Sequence, residues 1–231
     1  MSVSRRHFIK QSAKASAAVY AASIGFSAKS YGNIIGANDR VRLGVVGFSD
    51  RFRQALFPSF LNHYKELNFD IVAVSDLWKL RREEGQSFLK EKLGHDVQTC
   101  KNNDELYRIK DLDGVIVSTA DFQHALHAIE AVNAGKDAYV EKPFAETMED
   151  NRNALRIIKA SNRIIQVGSQ RRSGGNYAAA AEFIQSGKFG PITMVELTWN
   201  VNQPARWRRP ALVAKCKQED KIGRASCRER V

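Results

Sequence analysis

Short apolar runs alternate with segments of helical periodicity through the first two thirds of the chain. The predicted strands are residues 41–46, 69–75, 114–118, a run around Tyr139, and 164–167. The predicted helices are residues 55–67, 80–93, 104–109, 123–134 and 148–161, with Gly94 and Gly135 as stop signals. Residues 114–118 are apolar at their centre, as a buried parallel strand requires. The alternation is typical of a doubly wound α/β sheet of the Rossmann type.

The pattern changes in the last third. Residues 177–186 have helical periodicity and end at Gly187, and residues 191–199 alternate apolar and polar positions, as a strand with one solvated face does. We place a Rossmann-type domain over residues 38–163 and the start of an α+β domain with a largely antiparallel, open sheet over residues 164–220. Only one strand of this second domain precedes residue 220, so we expect it to be truncated.

The two ends differ from this core. Arg5 and Arg6 precede a weakly apolar stretch, rich in Ala and Ser, that is too short and too polar to span a bilayer. Residues 1–37 are therefore predicted to be a twin-arginine signal and linker, which implies a periplasmic protein handled by the twin-arginine export machinery. Residues 221–231 match one reading frame of a common sequencing-library adapter. We expect them to be non-native and the protein to continue beyond Asp220.

The two ends also account for most of the net charge of +11. The leader holds five basic residues and no acidic one, and the tail holds four basic residues and one acidic one. The remainder has 27 basic and 24 acidic residues, a net charge of +3, so no nucleic-acid partner is predicted. Cys100 and Cys216 have no metal-binding or redox spacing, and no metal site is predicted.

The turn after the first strand can bind a pyrophosphate through backbone N–H groups at a helix start. It reads Gly47-Phe48-Ser49-Asp50-Arg51-Phe52 and keeps only the first glycine of the G-x-G-x-x-G fingerprint, so an ordinary turn is an alternative. Asp76, at the end of the second strand, can accept both hydroxyls of an adenosine ribose and would repel a 2′-phosphate. NAD is the predicted cofactor. NADP remains an alternative because basic residues follow at Lys79, Arg81 and Arg82.

Three later segments carry polar residues beyond strand ends, where ligands of parallel sheets bind. Thr119 and His124 follow the third predicted strand, and His124 would stand beside the cofactor, with a helix-capping role as the alternative. Lys142 ends the Tyr139 strand before Pro143, and the bond between them is a candidate for the cis form. A lysine there can reach nicotinamide and substrate together and transfer protons. A solvated surface pair is the alternative. Gln170 and Arg171 offer a carboxamide and a guanidinium to the cofactor or sugar, or form a solvated loop.

Together these segments resemble the Gfo/Idh/MocA oxidoreductase family over residues 38–220. The matching elements are residues 41–47, Asp76, residues 119–124, Glu141-Lys142-Pro143 and residues 166–171. The resemblance implies that Glu141 contacts the nicotinamide ribose and that Lys142 acts beside the substrate hydroxyl. We predict Lys142 as catalytic, and as cofactor-binding Gly47, Phe48, Ser49, Asp76, Thr119, His124, Glu141, Lys142, Gln170 and Arg171. The family's second acid/base pair, an Asp and a His four residues apart, has no counterpart here.

The predicted function is a nicotinamide-dependent oxidation of a hydroxyl on a sugar, cyclitol or related polyol, by a full-length protein expected to be a homo-oligomer. Two alternatives stay open. One is an NAD-dependent glycosidase of the same fold, which oxidises the sugar transiently with no net redox change. The other is a non-catalytic, exported protein that binds a cofactor or a sugar. Steady release of NADH would indicate the oxidoreductase and not the glycosidase.

Overall fold

The computed structural model describes residues 40–198, 210–217 and 219. The predicted export signal and the adapter-like tail lie outside these residues. A six-stranded sheet with the order β3-β2-β1-β4-β5-β6 forms the centre, and every neighbouring pair is parallel. Its strands are β1 (Val41–Val46), β2 (Phe69–Ser75), β3 (Gln98–Cys100), β4 (Gly114–Val117), β5 (Asp137–Glu141) and β6 (Ile165–Gly168). The predicted Rossmann-type sheet is confirmed.

Helices connect the strands and follow the sheet. They are a π-helical turn (Phe52–Leu56) that continues into α1 (Phe57–His63), α2 (Lys79–Leu93), α3 (Asn103–Tyr107), α4 (His124–Asn133), α5 (Met148–Lys159), α6 (Gly175–Gln185) and α7 (Pro210–Val213). Gly94 has a φ of 79°, so it ends α2 in the left-handed conformation that favours glycine. Thr147 Oγ1 accepts a hydrogen bond of 3.0 Å from Asp150 N and begins α5. None of the described helices is long and apolar enough to cross a membrane.

Alternate residues of the central strands are buried on opposite faces of the sheet. In β1, Val45 belongs to an apolar cluster with the aromatic side chains of α1, whereas Val46 packs in a second cluster with Ala128 of α4. All four residues of β4 are buried. Burial on both faces explains why these strands consist of consecutive apolar residues, and it fixes the strands firmly enough to hold polar loops at their ends.

Three features differ from the sequence predictions. β3 was missed because a strand of three residues contains no apolar run. β6 pairs with β5, so the parallel sheet continues to Gly168 and the boundary predicted after residue 163 is one strand too early. Residues 191–198 have no regular secondary structure and no strand neighbour among the described residues, so the predicted strand over 191–199 is not present there. A segment of alternating apolar and polar residues is stable as a strand only when it pairs with a neighbouring strand. The antiparallel sheet of the second domain therefore remains a prediction.

Candidate functional site

The carboxyl ends of the strands form one edge, and the strand order reverses there between β1 and β4. Open α/β sheets bind ligands in the crevice at this switch point. A cavity of about 850 Å³ lies at this edge. Its wall includes the turn after β1, the segment after β2 and the segment after β4, and Leu212, Val213 and Cys216 add part of the far side. The cavity is large enough for a dinucleotide's adenosine half.

Gly47 opens the turn after β1 in a conformation that requires glycine. Its φ is +83°, and a Cβ there would lie 2.7 Å from Cγ2 of Thr119. Gly47 N donates to Ser75 O at 2.8 Å, and Ser118 Oγ donates to Gly47 O at 2.8 Å. The turn is thus held against both neighbouring strands, and the absent side chain lets the turn pack closely against Thr119.

Ser49 and Phe52 occupy the places of the two missing fingerprint glycines. Ser49 Oγ accepts a hydrogen bond from Phe52 N at 3.1 Å, which satisfies an N–H at the helix start. Phe48 and Phe52 are both buried against the helices, and Gly85 of α2 gives Phe48 its space, since a Cβ there would lie 2.9 Å from the Phe48 ring. The third glycine normally permits close packing of helix on strand. Here Phe52 fills that position, and the helix begins with the π-helical turn Phe52–Leu56.

Asp76 lies in the cavity wall and anchors the turn. Its Oδ2 accepts from Phe48 N at 3.0 Å and its Oδ1 accepts from Trp78 N at 2.9 Å. Burial raises the pKa of this carboxyl above its ordinary value. The two N–H bonds and the nearby guanidinium groups of Arg81 and Arg82 lower the pKa, but the effect of burial is larger. A carboxylate offers about four acceptor positions, so capacity for two ribose hydroxyls remains.

Two buried polar atoms in the cavity wall have no hydrogen-bond partner among the described residues. They are Thr119 Oγ1 and Trp78 Nε1. Buried polar groups are normally paired, so both atoms are suited to a polar ligand. With the two acceptor oxygens of Asp76, these atoms make the wall fit the adenosine and phosphate groups of a nicotinamide dinucleotide.

Glu141, at the end of β5, is only 3% exposed. Its Oε1 accepts from Arg51 Nε at 2.9 Å and from Gln170 Nε2 at 2.8 Å, and its Oε2 accepts from Lys142 N at 3.1 Å. The Lys142–Pro143 peptide bond is cis. The Lys142 side chain is exposed, and its Nζ has no hydrogen-bond or ion-pair partner in the described part of the chain. The carboxylate of Glu141 is therefore fixed by its three donors, whereas the ammonium group of the next residue, Lys142, is exposed.

The relation to known proteins follows from this domain. Residues 41–169, more than half of the chain, match the family model described as an oxidoreductase family with an NAD-binding Rossmann fold, Gfo/Idh/MocA. The chain belongs to the Gfo/Idh/MocA family. Its described sheet is accordingly the core of an NAD-binding Rossmann fold, and the cavity lies at the carboxyl edge of that sheet.

Individual relatives agree with this assignment. The chain is 31% identical over 157 residues to a 1-carboxy-3-chloro-3,4-dihydroxycyclohexa-1,5-diene dehydrogenase of Comamonas testosteroni, covering 67% of this chain and 37% of that protein. It is 28% identical over 182 residues to inositol 2-dehydrogenase of Agrobacterium fabrum, covering 75% and 50%. The chain thus spans at most about half the length of these curated relatives.

Solved structures show the same fold. The WlbA dehydrogenase of Bordetella pertussis, in complex with NADH and UDP-GlcNAcA, superposes with a TM-score of 0.58 at 19% identity, covering 65% of this chain and 43% of that one. The myo-inositol dehydrogenase of Lactobacillus casei, in complex with NAD(H) and myo-inositol, has a TM-score of 0.54 at 22% identity, covering 64% and 42%. At these identities the likeness concerns the fold.

Within this Gfo/Idh/MocA domain, His124 lies beneath the site and not in the cavity wall. It is 1% exposed. Its Nδ1 is 2.7 Å from Pro143 O and its Nε2 is 3.2 Å from Thr119 O. A carbonyl oxygen can only accept, so the short contact to Pro143 O assigns an N–H to Nδ1. The predicted cofactor contact is therefore corrected: both ring nitrogens face backbone carbonyls, and the ring joins the loop after β4 to the Lys142–Pro143 segment.

Gln170 and Arg171, which follow β6, lie apart from the cavity wall. Gln170 acts through Glu141, whose carboxylate it holds at 2.8 Å. Arg171 Nη1 donates to Tyr177 Oη at 3.3 Å, on the exposed start of α6. The structure thus connects Gln170 with the β5 end of the site, whereas Arg171 contacts the helix that follows.

Sequence reasoning missed two groups of this Gfo/Idh/MocA site. Arg51, the partner of Glu141, lies 90 positions away along the chain. The second group is a polar cluster in the cavity wall. Asn103 Nδ2 donates to Glu130 Oε2 at 2.8 Å, and His127 Nδ1 is 2.9 Å from the same oxygen. Burial would raise the pKa of Glu130, but hydrogen bonds from His127 and Asn103 hold it below its ordinary value. The need of the buried Glu141 for a partner was the available signal for Arg51, whereas Glu130 is partly exposed and gave no such signal.

Proposed function

We propose that the full-length protein is an NAD-dependent oxidoreductase that acts on a hydroxyl group of a sugar, cyclitol or related polyol. The observation that carries the proposal is the end of β5. Glu141 is buried and held by three donors, and the adjacent Lys142 presents an exposed ammonium group at the carboxyl edge of the sheet. Neither residue is among those that line the cavity at that edge. Family membership supports the redox chemistry, because the matching family model is that of an oxidoreductase family.

The residues divide the task between binding and proton transfer. When bound, NAD supplies the hydride acceptor at C4 of the nicotinamide. The turn after Gly47 places the helix start against the pyrophosphate, and Asp76 accepts the adenosine ribose hydroxyls. Lys142, which must first release a proton to solvent and so become the neutral amine, takes the proton of the substrate hydroxyl, directly or through a relay, while the C–H hydrogen leaves as hydride. The proton then passes to solvent, to which the Lys142 side chain is open.

The substrate class rests on the relatives. The Agrobacterium relative is named an inositol 2-dehydrogenase, and the solved Lactobacillus casei neighbour holds NAD(H) and myo-inositol. The WlbA neighbour holds NADH and a UDP-sugar. Cyclitols and sugar derivatives share a ring of secondary hydroxyls, and oxidation of one such hydroxyl to a ketone needs only a hydride acceptor and a base. The proposal therefore names this class and no single compound.

The decisive variant is Lys142→Met in the full-length protein, which keeps the length of the side chain and removes the ammonium group. We expect kcat to fall by roughly 10²–10⁴, the scale of losing a general acid/base. NAD affinity should change little because the cavity wall is untouched. Lys159→Met, at an exposed lysine in the last turn of α5, is the matched control and should keep full activity.

Two paired measurements test the proposal: cofactor titration and single-turnover hydride transfer with a panel of cyclitols and sugars. Turnover by Lys142→Met within a few-fold of the unmodified enzyme would show that Lys142 is structural, as would loss of NAD binding together with turnover. Steady release of NADH supports the oxidoreductase. Release of an aglycone without net NADH would establish the glycosidase instead.

We also propose that the protein reaches the periplasm by twin-arginine export. The support is Arg5-Arg6 with the weakly apolar stretch that follows. Twin-arginine export carries folded proteins, and a Rossmann domain that must bind its cofactor before export suits that route.

A further inference from the structure

Arg81 stands beside the adenosine end of the cavity. It lies in the same wall as Asp76, and its guanidinium is near enough to lower the pKa of that carboxyl against the effect of burial. Its side chain is 12% exposed. An arginine in this place commonly receives the 2′-phosphate of NADP. Position alone would therefore make Arg81 a feature that favours NADP.

The Arg81 guanidinium is already engaged by two carboxylates. Its Nη1 donates to Glu84 Oε2 at 2.8 Å, and its Nη2 is 3.5 Å from Asp50 Oδ1. Arg53 bonds the same two acids, with Nη1 at 2.8 Å from Glu84 Oε1 and Nη2 at 3.1 Å from Asp50 Oδ1. Asp50, Arg53, Arg81 and Glu84 thus form a closed charge ring of two cations and two anions, which joins the turn after β1 to α2.

The other two basic residues near Asp76 are paired as well. Arg82 is buried, and its Nη1 donates to the backbone carbonyl of Asp76 at 2.7 Å. Lys79 Nζ is 3.8 Å from Glu83 Oε1 on the exposed face of α2. Each cation that could have received a 2′-phosphate therefore has another partner, and the charge ring holds the best-placed one.

We propose that Asp50 and Glu84 determine cofactor specificity, by holding Arg81 in the charge ring and away from the position of a 2′-phosphate. The inference rests on the proposed function, in which this cavity takes the adenosine of NAD. To bind NADP, Arg81 would have to break charge-assisted hydrogen bonds comparable to those it would gain. Asp50 also faces the cavity, so its own charge adds to the repulsion from Asp76. Specificity for NAD is thus enforced twice.

The consequence is that removing Asp76 alone leaves NADP binding weak. In an Asp76→Ala background, adding Asp50→Asn or Glu84→Gln should raise NADP affinity by about tenfold over Asp76→Ala, the scale of a charge-assisted contact regained. For Glu84→Gln, which lies outside the cavity wall, NAD affinity should stay within about threefold, because no contact to an unphosphorylated ribose changes. In the native background the same substitutions should give a smaller gain of the same sign.

Two further variants isolate Arg81. Adding Arg81→Gln to the Glu84→Gln, Asp76→Ala protein should cancel the gain in NADP affinity, because Glu84 lies outside the cavity wall and acts on the cofactor only through Arg81. Glu91→Gln is the matched control, because it removes an exposed carboxylate from the far end of the same helix, where its partner is Lys92 and not a cation near Asp76, and it should leave both affinities unchanged. The gain through Arg81 should also shrink with added salt.

The experiment is an equilibrium titration of NAD and NADP against the full-length variants, with thermal unfolding to confirm that each is folded. The inference is overturned if neither Asp50→Asn nor Glu84→Gln tightens NADP binding in either background, or if the gain survives Arg81→Gln. An unmodified protein that binds NAD while the variants fail this test leaves the proposed function intact. An unmodified protein that binds neither cofactor overturns both.

Discussion

Asp76→Ala should weaken the fold as well as the cofactor site, because the carboxylate anchors the turn after β1. It accepts hydrogen bonds of 3.0 Å from Phe48 N and 2.9 Å from Trp78 N. A hydrogen bond to a charged group contributes about 1.5–3 kcal/mol, so two are an upper limit of about 3–6 kcal/mol. Relief of the buried charge offsets part of this. We expect a net loss of about 2–4 kcal/mol in the free energy of unfolding, or about 5–15 °C in Tm for a domain of this size.

The assay is urea unfolding of the cofactor-free protein, followed by titration with NAD and NADP. Asp76→Asn is the control, because it keeps the shape and one of the two acceptor oxygens and should lose less stability. In the same Asp76→Ala protein, the ratio of NAD to NADP affinity should narrow by about ten- to a hundredfold. Stability within about 0.5 kcal/mol of the unmodified protein would refute the anchoring role, since changes of that size are typical of surface substitutions without a structural role. Equal binding of both cofactors before mutation would refute the specificity.

The pH dependence of Asp76 has a distinctive sign. Burial raises the pKa of its carboxyl above the ordinary 3.8. Between 3.8 and the raised pKa the folded protein binds a proton that the unfolded chain does not, so this group's contribution to stability falls as pH rises. NAD affinity should rise over the same interval, because the ribose hydroxyls prefer the ionised carboxylate. Asp76→Asn should remove both slopes, and parallel slopes for stability and affinity would contradict the assignment.

Three further predictions concern other parts of the chain. Gly47→Ala places a methyl group against the loop after β4 at a positive φ, so it should cost about 1–3 kcal/mol in unfolding and weaken NAD binding; an unchanged Tm would contradict the geometry. His124→Leu leaves the Pro143 carbonyl without its donor, so it should cost about 1–3 kcal/mol and lower kcat more than NAD affinity, which a kcat and titration comparison checks. Replacing Arg5 and Arg6 by Lys should stop export of a reporter fusion, and unchanged periplasmic delivery would refute the signal.

The sequence alone determined the main course of the fold. A strand that is buried on both faces consists of consecutive apolar residues, and this pattern is visible in the local sequence. The bounds of β1, β2, β4 and β5 could therefore be predicted to within a residue or two. Parallel strands end at a common edge, so Gly47, Asp76 and Lys142 could be assigned to the same edge of the sheet. Conformational demands are local too, and Gly94 and Gly135 both have the positive φ expected of helix stops.

Only the tertiary structure decided which polar groups pair. Arg51 meets Glu141 because the order of strands brings the ends of β1 and β5 to one edge, and no local pattern encodes that meeting. His124 was expected at the cofactor, yet its depth beneath the loop made it an internal link between two backbone segments. Arg81 lies beside the adenosine end of the cavity, and it is paired with Asp50 of the turn after β1 and with Glu84 of α2. Desolvation and pairing depend on what covers a side chain, and that is a property of the packed molecule.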